Sequence, residues 1–332
     1  MTEPGDKPGA SGPRPKRKSR DELQAQLRSR RADIERQVRT TRAQIDQVNE
    51  RIEARAGRNL LMATVFGLAL GIILIASLVF VKGIFVAFCA AIVAFATFEL
   101  VRALRESGRR VDVIPAVLSG LVIVGGSYFL DAPWRWVTLA CAVLFVVVWR
   151  LVAEIFDAPR VGGGLGRDLV TAALVQLYVP FLASFAVSLV LQPEGQWWTL
   201  AFLILVVAVD IGAYASGLTF GKHPMAPKIS PKKTWEGFAG AGAAAIIAGV
   251  LVAIFMLNVP WWVGVLFGLA LLGTATLGDL TESLIKRDIG IKDISSWLPG
   301  HGGFLDRIDS MLPSAPAALA IFALFSVGGI SA

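Results

Sequence analysis

Two polar stretches in an otherwise apolar chain concentrate the side chains able to do chemistry. The first, residues 221–236, reads Gly-Lys-His-Pro-Met-Ala-Pro-Lys-Ile-Ser-Pro-Lys-Lys-Thr-Trp-Glu. Lys222, Lys228, Lys232 and Lys233 stand among three prolines, with Ser230 and Thr234 as hydroxyl donors. Proline fixes φ, so several cations are held together at a lower entropy cost than a flexible loop would incur. Thr234 is placed to cap the apolar run that follows, and a cationic loop beside a helix N-terminus suits a polyphosphate. Topology alone also makes some loops basic, but it does not require this spacing of proline and lysine. Gly221-Lys222 is not a Walker A loop, because His223 stands where a Ser or Thr is needed.

The second stretch, residues 278–310, reads GDLTESLIKRDIGIKDISSWLPGHGGFLDRIDS. Lys286-Arg287 and Lys292-Asp293 precede Pro299-Gly300-His301-Gly302-Gly303, whose glycines let backbone approach a ligand closely. Asp306-Arg307-Ile308-Asp309 sets two acids three apart, on one face if helical. Asp279, Asp306 and Asp309 offer the hard oxygens that Mg²⁺ takes when it also binds substrate phosphates. The bland alternative for Asp306-Arg307 is a local salt bridge. Only two histidines and two separated cysteines, Cys89 and Cys141, are present, which argues against zinc and against a disulfide framework.

The second stretch resembles the signature of the phosphatidate cytidylyltransferases, also called CDP-diacylglycerol synthases. Ser283, Lys286, Arg287, Lys292, Asp293, Ser295, Leu298, Pro299, His301, Gly302, Gly303, Asp306, Arg307 and Asp309 occupy its fixed places. The earlier element Pro-Lys-Ile-Ser-Pro-Lys-Lys-Thr-Trp-Glu-Gly, residues 227–237, is similar to a second family element. The resemblance covers about residues 210–310. It implies transfer of a cytidylyl group from CTP to phosphatidic acid, giving CDP-diacylglycerol and pyrophosphate. It further implies Mg²⁺ on Asp279 and Asp306, with Asp309, and leaves a second cation open. Asp279, Asp306, Lys286 and Arg287 are then the expected catalytic residues. Lys222, Lys228, Ser230, Lys232, Lys233, Lys292, His301, Arg307 and Asp210 are the expected substrate contacts. His301 either donates to a phosphate or only braces the glycine turn. Rival readings are another CTP-using lipid enzyme, such as a polyprenol kinase or an ether-lipid cytidylyltransferase, and an ion-coupled transporter.

The elements that must position these residues are helices in a membrane. Of 332 residues 55% are hydrophobic and 17% charged, with a mean hydropathy of +0.63. Crossing a bilayer core takes about 20 apolar residues per helix. Nine segments qualify, at roughly 59–80, 83–101, 113–130, 134–156, 169–191, 197–217, 237–258, 260–281 and 312–329. The expected fold is therefore an all-α polytopic membrane protein of about nine spans. Residues 1–20 read as a disordered tail and 21–58 as a charged helix with a heptad stripe from Leu27 to Ile52, suited to a coiled coil or a membrane surface. Residues 59–191 form N-terminal spans, and 192–332 the catalytic region with polar loops at 218–236 and 282–311.

Orientation follows from basic residues. With the N-terminus inside, the loops 102–110, 157–167, 218–236 and 282–311 hold 14 Lys and Arg against two on the opposite side. That count predicts a cytoplasmic N-terminus and active site on an inner (plasma) membrane. Trp134, Trp136, Trp197, Trp198, Trp261 and Trp262 begin segments, as an interfacial belt would place them. Within or at the edges of spans lie Glu99, Arg150, Glu154, Asp210 and Asp279. Such charges are costly in lipid and need partners or a wet cavity. Arg150 and Glu154, four apart, suit an intrahelical ion pair; Glu99 suits either snorkelling or a site role. Expected partners are CTP, phosphatidic acid, membrane lipids and a second copy as a homodimer, with no nucleic acid.

Overall fold

The computed structural model describes residues 71–156, 164–291, 294–295 and 303–326. They belong to one unit of the chain, Met62–Ala332. The tail and the charged helix of residues 1–58 lie outside the described residues, as do Lys292 and His301.

In lipid every backbone N–H and C=O must be satisfied within the protein, so long apolar runs become helices. They are α1 (Gly71–Phe80), α2 (Lys82–Glu106), α3 (Val113–Phe129), α4 (Ala132–Phe156), α5 (Leu165–Gln176) and α6 (Leu182–Leu191). Then come α7 (Gly195–Phe220), α8 (Trp235–Val252), α9 (Trp261–Asp288), α10 (Leu305–Ile308) and α11 (Met311–Ser326). Among the described residues seven helices are long and apolar enough to cross a membrane, and the chain is a multi-pass helical membrane protein. Two of the expected segments correspond to shorter apolar helices, α1 and α3; residues 59–70 of the first lie outside the described residues.

Four hydroxyls inside the bundle are satisfied locally. Ser127, Ser188, Thr199 and Ser314 each donate to the carbonyl four residues back. The helix α5 continues into α6 through a π-turn, Leu177–Phe181, containing Pro180. Proline cannot donate to the i−4 carbonyl, and the wider turn absorbs that loss.

Helices α7, α8 and α9 approach so closely that backbone meets backbone. A Cβ on Gly264 would stand 2.1 Å from the Gly249 carbonyl oxygen, and one on Gly240 would stand 1.9 Å from Ser216 Oγ. Small residues drive helix association in lipid by allowing such contact. Around this seam Phe202, Leu205, Phe267, Leu271 and Phe322 form a core, with the Trp198 ring tilted against Phe267 and edge-to-face with Phe322. Trp198 is therefore a core residue, not a member of an aromatic belt; Trp134, Trp136 and Trp261 remain exposed. Trp198 lies with Thr199 on the buried side of α7, while Trp197 is half-buried.

Two expectations about loops change. The segment 218–236 is not wholly loop: α7 runs to Phe220, and β1 (Pro224–Ala226) pairs antiparallel with β2 (Ser230–Thr234). A two-stranded ribbon has only edge strands, so Pro224 and Pro231 are tolerated in it. The segment 282–311 begins inside α9, which ends at Asp288, so Lys286 and Arg287 are helical. A Schellman arrangement stops α9: Gly290 has φ +76°, its N–H reaches Arg287 O at 3.2 Å, and Ile291 N–H reaches Lys286 O at 2.9 Å.

Candidate active site

The basic loops expected on one side meet at one end of the bundle. Arg109, after α2, pairs with Asp288 at the end of α9 and donates to Thr171 Oγ1 at 3.0 Å. Arg110 N–H donates to Asp168 Oδ1 at 3.0 Å. Arg287 Nε donates to the Ile229 carbonyl at 3.3 Å, joining α9 to the hairpin.

The hairpin is fixed from below. Thr234 caps α8 by accepting from Gly237 N–H at 3.1 Å, as its position before the apolar run predicts. Glu236, in the first turn of α8, accepts from the N–H groups of Lys222 and His223 at 3.1 and 3.2 Å and pairs with the His223 ring. These ties aim Lys232 and Lys233 inward.

Between α7, the hairpin, α8, α9 and α10 lies a cavity of about 420 Å³. Asp210, Lys232, Lys233, Asp279, Lys286, Asp306 and Asp309 all line it. Seven of the expected site residues, spread over about 100 positions of sequence, therefore share one space. Its ion pairs interleave the two signs. Lys233 pairs with Asp279, while Lys286 Nζ lies 3.1 Å from both Asp306 Oδ1 and Glu282 Oε2. Asp306 Oδ2 accepts from Gly303 N–H at 3.0 Å, and Asp309 Oδ1 from Ser310 N–H at 2.7 Å. Gly278 makes the convergence possible, since a Cβ there would stand 2.3 Å from the Asp309 carbonyl oxygen.

Other expected residues stand outside the cavity lining. Arg287 faces the hairpin and the Ile291 carbonyl, because one residue beyond Lys286 turns the helix about 100° away. Lys222, Lys228, Ser230 and Arg307 do not line the cavity either. Lys292 and His301 lie outside the described residues.

Sequence reasoning missed Glu282. It is 1% exposed, lines the cavity, and its Oε1 is buried without a hydrogen-bond partner among the described residues. Its signal was available: Asp279, Glu282 and Lys286 at i, i+3 and i+7 share one helix face. Glu99 does not snorkel. It is 2% exposed and accepts from Ser295 Oγ at 2.5 Å and Leu305 N–H at 3.1 Å, tying α2 to both ends of the glycine-rich stretch. Arg150 and Glu154 form the expected intrahelical pair, with Asp112 Oδ2 a further 3.5 Å partner of Arg150.

Among the described residues no three acids stand close enough to form a ready-made metal cage. Magnesium seldom needs one, since one or two carboxylates plus substrate phosphates suffice. The orphaned Glu282 oxygen and the carboxylates of Asp279, Asp306 and Asp309 make a hard-oxygen donor set that fits it.

Comparison with known proteins matches residues 61–325 to the model of the cytidylyltransferase family. A phosphatidate cytidylyltransferase of Mycobacterium bovis is 42% identical over 277 residues, covering 82% of this chain and 90% of the relative. Its namesake from Mycobacterium leprae is 41% identical over 286 residues, covering 81% and 89%. The Haemophilus influenzae protein of the same name is 45% identical over 128 residues, covering 37% and 44%.

Proposed function

The chain belongs to the cytidylyltransferase family, and from that premise we propose that the interleaved cavity is where it makes CDP-diacylglycerol. The enzyme transfers a cytidylyl group from CTP to phosphatidic acid and releases pyrophosphate. One observation carries the assignment of the site: seven expected residues, four acids and three lysines, line a single cavity at the end of a membrane bundle where the basic loops gather.

The phosphate monoester of phosphatidic acid has a second pKa of about 6, so it is largely dianionic at neutral pH. It can attack the α-phosphorus of CTP without a protein nucleophile or a strong base. One P–O bond forms, the α–β bridge breaks, and pyrophosphate leaves. What the chain must supply is alignment of two polyanions and neutralisation of their charge. Lys232 and Lys233 approach from the hairpin and Lys286 from α9, so phosphates between them are held from two sides. Asp279 and Asp306, with Asp309, would hold Mg²⁺, which when bound supplies positive charge to the phosphate oxygens. A second cation is a further part of the reading. Glu282 keeps Lys286 oriented between itself and Asp306. Arg287 contacts the hairpin, and Arg307, Lys292 and His301, as residues of the signature stretch, are further substrate contacts in this reading. Lys222, Lys228 and Ser230 serve on the hairpin, outside the cavity lining.

The same reading sets the site on the cytoplasmic face of an inner (plasma) membrane, supported by the excess of basic residues in the loops that meet there. A homodimer is part of it, supported by the heptad spacing from Leu27 to Ile52. The test is release of pyrophosphate from CTP by purified protein. Release that needs both phosphatidic acid and Mg²⁺ is expected. Release with a polyprenol or no lipid acceptor, or none at all, sinks the reading.

A further inference from the structure

A second cavity, of about 330 Å³, lies along a neighbouring face of α9. Leu100 and Leu104 of α2, Leu174 and Val175 of α5, and Ile285 and Ile289 of α9 give it apolar walls. Arg109, Thr171 and Asp288, joined to one another as described above, supply its polar members. The helix α9 thus divides its faces: Glu282 and Lys286 line the charged cavity, while Ile285 and Ile289 line the apolar one.

Tyr178 stands in the wall of the apolar cavity, with Ile285 of α9, the helix whose Glu282 and Lys286 line the charged one. Its hydroxyl is buried without a hydrogen-bond partner among the described residues. A buried hydroxyl left unpaired is costly, so such a group needs an explanation, and an absent ligand is one. The backbone there is unusual as well. Tyr178 sits on the π-turn Leu177–Phe181, a distortion often found at functional sites. A Cβ on Gly120 would stand 2.9 Å from Pro180 Cγ, so α3 presses against this turn and holds it in place.

A charged cavity and an apolar cavity lined by one helix, with an unpaired hydroxyl in the wall of the apolar one, match the groups of a phospholipid: phosphate, glycerol ester, hydrocarbon. Resting on the function proposed above, we infer that the apolar cavity receives an acyl chain of phosphatidic acid and that the Tyr178 hydroxyl donates to the lipid's glycerol-ester oxygen. The lipid then approaches along α9 by a face the hairpin lysines do not line, and those lysines are left to the nucleotide's phosphates. Tyr178 is a positioning residue: it sets the depth at which the phosphate monoester projects toward the acids and lysines.

The test uses full-length enzyme in nanodiscs with CTP, Mg²⁺ and either dioleoyl or dihexanoyl phosphatidic acid. Tyr178→Phe should raise KM for both lipids about fivefold, the worth of one hydrogen bond, with KM for CTP unmoved. Leu174→Trp, which fills the cavity, should raise KM about tenfold more for the dioleoyl lipid than for the dihexanoyl one, the loss of roughly two buried methylenes. Because a filling variant can misfold, unmodified enzyme is also photolysed with phosphatidic acid bearing a diazirine at the end of one acyl chain. Adducts on residues 100–104, 174–178 or 285–289 are expected. Adducts confined elsewhere, equal KM changes for the two lipids in Leu174→Trp, or a KM change for CTP alone in Tyr178→Phe would overturn the inference. Should dihexanoyl phosphatidic acid still yield pyrophosphate in those cases, only the acyl site falls; no pyrophosphate from any phosphatidic acid removes the proposed function as well.

Discussion

Replacing Glu99 with alanine tests how the catalytic stretch is held, because this residue touches both ends of that stretch and lies outside the lining of the site. Glu99 accepts from Ser295 Oγ and from Leu305 N–H, and its Oε2 would stand 2.9 Å from a Cβ on Gly303. Hydrogen bonds to a charged group contribute about 1.5–3 kcal/mol each, so losing both removes roughly 3–6 kcal/mol of restraint. Part of that is recovered, since Phe304 stays stacked on Phe95 at 5.0 Å and Asp306 stays paired with Lys286. If about 2.7 kcal/mol is expressed in the transition state, kcat/KM falls about 100-fold. Glu99→Gln keeps one acceptor oxygen and should lose only about tenfold. The assay is steady-state pyrophosphate release, with size-exclusion profile and thermal midpoint checked for each variant. A well-folded Glu99→Ala enzyme within twofold of unaltered activity would refute the reasoning. So would Glu99→Gln falling as far as Glu99→Ala.

Asp279→Asn and Asp306→Asn should each abolish Mg²⁺-dependent turnover while the protein remains folded in detergent; near-normal activity from either would remove it from the metal assignment. Gly278→Val should cut activity by at least 100-fold, since even a Cβ would stand 2.3 Å from the Asp309 carbonyl, and wild-type rates from this variant would contradict the close approach. Single-cysteine labelling should reach residues 222–233 from the cytoplasmic side together with residues 288–291, and residues 192–196 from the other; labelling of the first two from opposite faces would break the one-site arrangement.

The residues that line the charged cavity were legible because polar side chains are sparse in this chain and their spacing is distinctive. Asp210, Lys232, Lys233, Asp279, Lys286, Asp306 and Asp309 needed only residue type and neighbourhood to be picked out. Helix faces were the weaker inference. Arg287 was grouped with Lys286 as an adjacent cation, yet one residue of helix rotation sends it to the hairpin carbonyl. Glu282 was overlooked because an acid beside a basic pair reads as ordinary surface until the helix is known to continue through it. The hairpin was hidden by its own prolines, which argue against strands except at edges. Tyr178 carried no signal at all, since its setting depends on a π-turn and on two helices distant in sequence. Trp198 shows the limit of positional rules: beginning a span did not keep it at the interface, because the α7–α9 seam had room for it inside.

The ion pairs of the catalytic cavity have a thermodynamic consequence. Each of Asp279 and Asp306 is already neutralised by a lysine, and each of those lysines by an aspartate. A dication arriving alone must compete with two ammonium groups for the carboxylates, and a nucleotide arriving alone must compete with two carboxylates for the ammonium groups. When both arrive, the partners exchange: carboxylate goes to the dication and ammonium to phosphate, so neither Asp279 nor Asp306 is left without a counter-charge. The free energy of binding both together therefore exceeds the sum of binding each separately, and by linkage each tightens the other by the same factor. On the proposed assignment, the ion-paired site would resist a stray cation or a stray anion and answer to their coincidence.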